Sequence, residues 1–268
     1  GSDDVLAMAF LTFFNSGRPV LFPDITYSFY PVWAELFGIP YERPALDEEF
    51  RIVKEDYFRE NGGIIFPNPN APTGLYMELG QVEEIIRRNP DVIVIVDEAY
   101  VDFAGPSAME LVDRYDNLLV VQTFSKSRSM AGMRIGFAVG SPLLIKYLND
   151  VKYSFNSYTM SRAALELGTA AVRDEAYFQE NLKRLTATRE RTKKELKALG
   201  FHFPDSGANF IFASHETCPA GEIFKALRER RIYVRYFDAP RLRNYLRITI
   251  GTDEEMDTLL KALGEITA

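Results

Sequence analysis

The chain has 268 residues, 47% hydrophobic and 26% charged, with a net charge of -7; that length allows one large domain or two modest ones, and the composition is that of a globular protein. An acidic chain whose one dense basic cluster, RERTKKELK at 189–197, alternates with acids at helical spacing does not look built for nucleic acid, and no apolar run approaches the roughly 18 residues of a membrane span. One cysteine, Cys218, and two histidines, His202 and His215, offer neither an internal disulfide nor a metal site, and they fit a reducing compartment such as the cytoplasm.

The opening GSDDVLAMAFLTFF sets Leu6, Ala9, Phe10 and Phe13 at helical spacing, so the chain begins almost inside a helix. It carries no basic leader region and no small-residue cleavage site, and is not read as a signal peptide. VLFPD at 20–24 reads as a strand, and 27–38 as a helix closed by Gly38. GGIIFPNPN at 62–70 is a strand running into a loop, and 77–89 is a helix. DVIVIVDEAY is a strand whose apolar run ends at Asp97; NLLVVQTFS and RIGFAVG are the next two strands. Runs this continuously apolar predict a sheet covered on both faces and largely parallel. The chain then turns helical through SPLLIKYLNDV, SRAALELGTAAV and the long segment 177–200. It ends as strand 209–214, helix 220–231, strands 233–237 and 245–251, and a last helix. The expected fold is α/β: a large domain, residues 1–175, with a mostly parallel central sheet flanked by helices, and a smaller C-terminal α/β domain, residues 176–268.

In open α/β sheets, ligands bind beyond the carboxyl ends of the strands. Those ends carry Tyr27 after VLF, Asn68 and Asn70 after GIIF, Asp97 and Tyr100 after VIVIV, and Thr123, Ser125 and Lys126 after LLVVQ. Each residue alone has an ordinary explanation. Lys126 could be a loop lysine, Asp97 a helix cap, Tyr27 rim packing and PNPNAPTG two turns. Together they suit pyridoxal phosphate. The lysine amine would hold the cofactor as a Schiff base, and the aspartate would keep the pyridine nitrogen protonated. Hydroxyls beside the lysine, the nearby Arg134 and a helix N-terminus at Ser2 and Asp3 suit the cofactor phosphate.

PNPNAPTG, DEAY, TFSK and AGMRIGF, in that order and spacing, resemble the fold-type I pyridoxal-phosphate-dependent aminotransferases. GSDDVL, TYSFYP, and the arginines of YVRYF and LRITIGT narrow the resemblance to the histidinol-phosphate aminotransferases. The resemblance spans essentially the whole chain. It implies that Lys126 anchors the cofactor and shuttles the proton, Asp97 pairs with the pyridinium nitrogen, Tyr100 donates to the phenolic oxygen, and Tyr27 stacks on the ring. The Ser2 and Asp3 backbone N–H groups, with Thr123, Ser125 and Arg134, would hold the phosphate. Arg247 would grip the acidic group of the substrate and Arg235 its phosphate. The implied reaction exchanges an amino group between L-histidinol phosphate and 2-oxoglutarate, in a homodimer. An aromatic-amino-acid transaminase, an amino-acid-phosphate decarboxylase and a non-catalytic binding or dimerisation relative are the alternatives. There are two departures from the family pattern. Where relatives have asparagine directly before Pro-Thr-Gly, this chain has Ala71, so Asn70 is expected to take that asparagine's place. Relatives also carry several dozen residues upstream of the GSDD motif, and the sequence is expected to be a piece of a longer chain.

Overall fold

The computed structural model describes residues 1–268. The first element is α1 (Ser2–Phe13), followed by β1 (Val20–Leu21), α2 (Phe29–Leu36) and β2 (Tyr41–Glu42). Then come β3 (Gly63–Pro67), α3 (Leu79–Arg88), β4 (Val94–Asp97), β5 (Leu118–Thr123) and β6 (Gly136–Gly140). These strands form one sheet in the order β2-β1-β3-β4-β5-β6, parallel throughout except for β6, which returns antiparallel to β5.

Side chains alternate across a strand, so the continuous apolar runs feed two separate cores. Ile65, Ile95, Leu119 and Val121 face one side and pack with Phe10, Tyr30 and Trp33 of α1 and α2. Ile64, Phe66, Val94, Val96, Leu118 and Val120 face the other and pack with Val82, Ile85 and Ile86 of α3. Each fully buried Val, Leu or Ile side chain contributes about 1.5–3 kcal/mol. The sheet interior is therefore committed to hydrocarbon, and polar groups are left to the strand ends.

Three helices follow: α4 (Pro142–Phe155), α5 (Arg162–Arg173) and α6 (Glu175–Ala198). A second sheet is built from β7 (Phe201–His202), β8 (Phe210–His215), β9 (Arg235–Tyr236) and β10 (Leu246–Thr249). Its order is β7-β8-β10-β9 and every pairing is antiparallel. Helices α7 (Ala220–Glu229) and α8 (Asp253–Thr267) cover it, α8 starting at a Thr252–Glu255 capping box. The short strands β2 and β7 are absent from the sequence reading, because two-residue pairings leave no periodic signal. Strand VLFPD shortens to Val20–Leu21 because Pro23 cannot donate to a ladder.

The two sheets are joined through buried polar contacts. Arg189 of α6 is buried and donates to the carbonyls of Phe103, at 3.0 Å, and Ala208, at 2.9 Å. Its neighbour one turn on, Lys193, donates to Asp205 at 2.7 Å and to the carbonyl of Ser206 at 3.2 Å. Arg128 donates to the carbonyl of Ala171 and stacks 4.0 Å from the centre of the Phe178 ring, tying the Lys126 loop to α5 and α6. Arg189→Met keeps the aliphatic stem but strands two buried carbonyls. It should lower the unfolding free energy by about 2–3 kcal/mol, read as a lower urea midpoint.

Candidate active site

Strands β3 and β4 end level with one another, Pro67 pairing with Asp97, while β5 runs two residues past the Asp97–Val121 pair to Thr123. A cavity of about 250 Å³ opens over those ends. Its floor is Asp97. One wall is Thr123, Ser125 and Lys126, a second is Tyr100, and a third is Tyr27 with Ser2 and Asp3 of α1. Arg134 and Arg247 complete the lining. Ten of the twelve residues anticipated from sequence thus meet in one place.

The two exceptions have clear physical reasons. Asn70 is buried, but its amide donates to the carbonyl of Ile25 at 3.0 Å and to Thr73, and its oxygen accepts from Thr26. It is spent on fastening the PNPNAPTG turn to the segment before Tyr27, and Ala71 lines the cavity instead. The expectation that Asn70 takes the place of the family's asparagine is therefore corrected: the amide has no free donor facing the site. Arg235 is exposed and lies outside the cavity wall. It pairs in register with Arg247 across β9 and β10, and both guanidinium groups lie over Phe237, at 5.2 and 5.9 Å.

The anion-binding end is assembled from α1 and β6. The N–H groups of Asp4 and Val5 already bond to the carbonyl of Gly1, whereas those of Ser2 and Asp3 have no acceptor within the helix. The start of β6 comes so close that a Cβ on Gly136 would sit 2.4 Å from the Ser2 nitrogen, so only glycine fits there. Arg134 has a left-handed backbone, φ 55°, and its guanidinium lies 3.4 Å from the Asp3 carboxylate. The other Asp3 oxygen accepts from the Tyr27 hydroxyl at 2.9 Å. Asp3 therefore brings a side chain as well as a backbone N–H to the site, which its motif alone does not reveal. Thr123 and Ser125 bond to each other at 2.9 Å, holding both hydroxyls at the end of β5.

At the opposite end, the Lys126 ammonium lies 5.4 Å from the centre of the Tyr100 ring. The neighbouring acids are occupied elsewhere. Asp102 accepts from Ser127, and Glu98 accepts from Ser107, from Gln122 and from the Ala108 N–H. Tyr100 meets Phe210 edge-on at 5.2 Å, and Arg247 lies over the same Phe210 ring at 5.1 Å. The Nε of Arg247 is buried without a protein partner.

Asp97 is the one buried carboxylate facing the cavity. Burial pushes its carboxyl up from an ordinary 3.8 to about 6, partly opposed by hydrogen bonds from Tyr30 and the Ala99 N–H. Tyr30 donates to Oδ2 at 2.8 Å and Ala99 to Oδ1 at 3.3 Å. Tyr30 escaped the sequence reading. Its signal was a second tyrosine three residues after Tyr27, at a spacing that puts both on one side of a helix start. This set of groups fits pyridoxal phosphate: unshared N–H groups and a guanidinium for the phosphate, a carboxylate for the ring nitrogen, and an amine free of acid partners for the aldehyde.

The raised carboxyl has a consequence for stability. Its folded value exceeds its unfolded value, so its stabilising contribution is fully present below about pH 3.8 and is lost as pH rises through about 6. Asp97→Asn in the cofactor-free chain should therefore raise the unfolding free energy at pH 7.5 by about 1–3 kcal/mol. The gap should close toward pH 4, as followed by urea unfolding across the pH range.

Residues 1–263 match the family of class I and II aminotransferases. The chain is 51% identical over 265 residues to histidinol-phosphate aminotransferase of Lactococcus lactis subsp. cremoris, covering 99% of this chain and 74% of that protein. It is 54% identical over 268 residues to histidinol-phosphate aminotransferase 2 of Dechloromonas aromatica, covering all of this chain and 75% of that one. The structure of histidinol-phosphate aminotransferase from Sinorhizobium meliloti in complex with pyridoxal 5'-phosphate has the same fold, with a TM-score of 0.88 at 22% identity over 98% of this chain and 74% of that one. With the family match covering residues 1–263 and relatives more than half identical over nearly the whole chain, the protein belongs to the class I and II aminotransferases.

Proposed function

We propose that the chain catalyses pyridoxal-phosphate-dependent transfer of an amino group between L-histidinol phosphate and 2-oxoglutarate. One observation carries the reading. Lys126, free of any acid partner, shares a cavity with the buried Asp97, in a chain more than half identical to histidinol-phosphate aminotransferases.

When bound, pyridoxal phosphate supplies an electron sink for the pair left on the amine-bearing carbon after its proton is removed. The chain's own groups supply the rest. Lys126 takes the proton from that carbon and returns it, acting as general base and then general acid. Asp97 would hold the proton on the ring nitrogen, and burial would strengthen that pairing. Tyr100 would donate toward the phenolic oxygen, and Tyr27 would cover a face of the ring. The N–H groups of Ser2 and Asp3, the hydroxyls of Thr123 and Ser125, and Arg134 bind the phosphate, the helix dipole adding to the attraction. Arg247 binds the acidic group of either substrate, the phosphate of histidinol phosphate or a carboxylate of 2-oxoglutarate, and Arg235, beside it on β9, adds a second contact to the phosphate. Planar, permanently charged guanidinium groups suit both tasks. Residues 1–175 form the cofactor-binding unit and 176–268 the smaller unit that brings the two arginines. We place the enzyme in the cytoplasm, as a homodimer; the single cysteine supports a reducing compartment.

Borohydride should trap pyridoxal phosphate irreversibly on the wild-type chain and not on Lys126→Ala, whose turnover should fall by about 10²–10⁴. Cofactor retained on Lys126→Ala after reduction would remove the assignment. In a substrate panel, histidinol phosphate should exceed phenylalanine in kcat/KM and should require 2-oxoglutarate. Carbon dioxide released without 2-oxoglutarate would point to a decarboxylase. Arg235→Ala should lower kcat/KM for histidinol phosphate by about tenfold or more, the worth of a charge-assisted contact. Phenylalanine should be much less affected, and equal losses for both would leave Arg235 without a substrate role.

A further inference from the structure

Tyr30 is fully buried on the second residue of α2, and rings surround it: Phe10 at 6.1 Å, Phe22 at 5.8 Å, Tyr27 at 5.7 Å and Trp33 at 6.3 Å between centroids. Phenylalanine would fill the same space. The hydroxyl thus adds nothing to packing, and its one polar contact is the 2.8 Å bond to Asp97.

We propose that Tyr30 is a positioning residue for Asp97, fixing the rotation of its carboxylate at the cavity floor and holding it in the charged form. The proposal rests on the functional reading above, since a charged, fixed carboxylate matters there because it must hold a proton on a ring nitrogen. The geometry supports it at both oxygens. Oδ2 is held by Tyr30 and Oδ1 by the Ala99 N–H, so the group has a donor on each side and cannot turn freely. No protein cation is hydrogen-bonded to it. Around it stand Asp3 of α1 and the adjacent Glu98, both of which disfavour its charge, with Tyr27 nearby. Tyr100, Lys126 and Arg134 line the same cavity. Against burial and two like charges, the two hydrogen bonds are what favour ionisation. Tyr30 is a durable donor, because burial and Asp97 itself push its own ionisation well above the ordinary tyrosine value.

The test uses the cofactor-free chain, so that a failed substrate assignment leaves it intact. Asp97 is titrated by carboxyl-carbon NMR with labelled aspartate, its resonance identified through Asp97→Asn. In Tyr30→Phe the Asp97 midpoint should rise by about one pH unit or more, the worth of a hydrogen bond to a charged group. An unmoved midpoint in a folded Tyr30→Phe chain would reduce Tyr30 to packing. If Tyr30→Phe does not fold, 3-fluorotyrosine at position 30 decides: a stronger donor of nearly the same shape, it should lower the midpoint, and no change would overturn the proposal. The cofactor-loaded protein gives a second readout. The acid limb of the kcat/KM profile should move upward in Tyr30→Phe, with rescue by 3-fluorotyrosine but not by 4-fluorophenylalanine; rescue by both would also overturn it.

Discussion

The governing constraint is that the central sheet is buried on both faces. Every residue from Val94 to Val96 and from Leu118 to Val121 is inaccessible to water. A charge within those strands would cost more than any nearby partner could return. The first place a polar group can stand is where the strand stops, and β3, β4 and β5 stop within two residues of one another. The active site is thus a consequence of the core. The same hydrocarbon that stabilises the sheet raises the Asp97 carboxyl.

The anion end obeys a complementary logic. A guanidinium and a helix N-terminus facing one cavity attract a carboxylate within reach. Asp3 supplies it, bridging Tyr27 and Arg134. The pairing with Arg134 is long, at 3.4 Å, and solvent reaches both partners, so it is worth at most a fraction of a kcal/mol. A phosphate carries more charge than one carboxylate and can accept from Ser2, Asp3, the hydroxyls and Arg134 together. Such an anion would compete readily with Asp3 for Arg134, and release of Asp3 would also free the Tyr27 hydroxyl.

Much of this was readable in the sequence because the strand ends are marked by the residues themselves. A run such as VIVIV can only be a buried strand, and the first polar residue after it, Asp97, must lie at its mouth. The same argument placed Thr123, Ser125 and Lys126. It failed where position depends on how a loop closes. Asn70 and Ala71 are neighbours, and which of them faces the cavity is set by bonds to Ile25, Thr26 and Thr73. Tyr30 failed differently: an aromatic near the start of an amphipathic helix reads as core, and its ring is core. Only the three-dimensional path of α2 shows where the hydroxyl lands.

The smaller unit enters the site through a single aromatic platform. Phe210 of β8 meets Tyr100 from the large sheet on one side and carries Arg247 on the other. Arg247 in turn shares Phe237 with Arg235. A guanidinium held over aromatic faces keeps its in-plane donors available for an acidic group, and its buried Nε has no competing protein partner. Because Arg189 bonds both to Phe103, beside the large sheet, and to Ala208, just before β8, Phe210 cannot shift far from Tyr100 without breaking buried hydrogen bonds. The distance between Arg247 and Lys126 is therefore set by the contact of Phe210 with Tyr100. Under the proposed roles, a substrate held at Arg247 would meet Lys126 at a separation that the fold fixes in advance, and an oriented site draws much of its rate advantage from such placement.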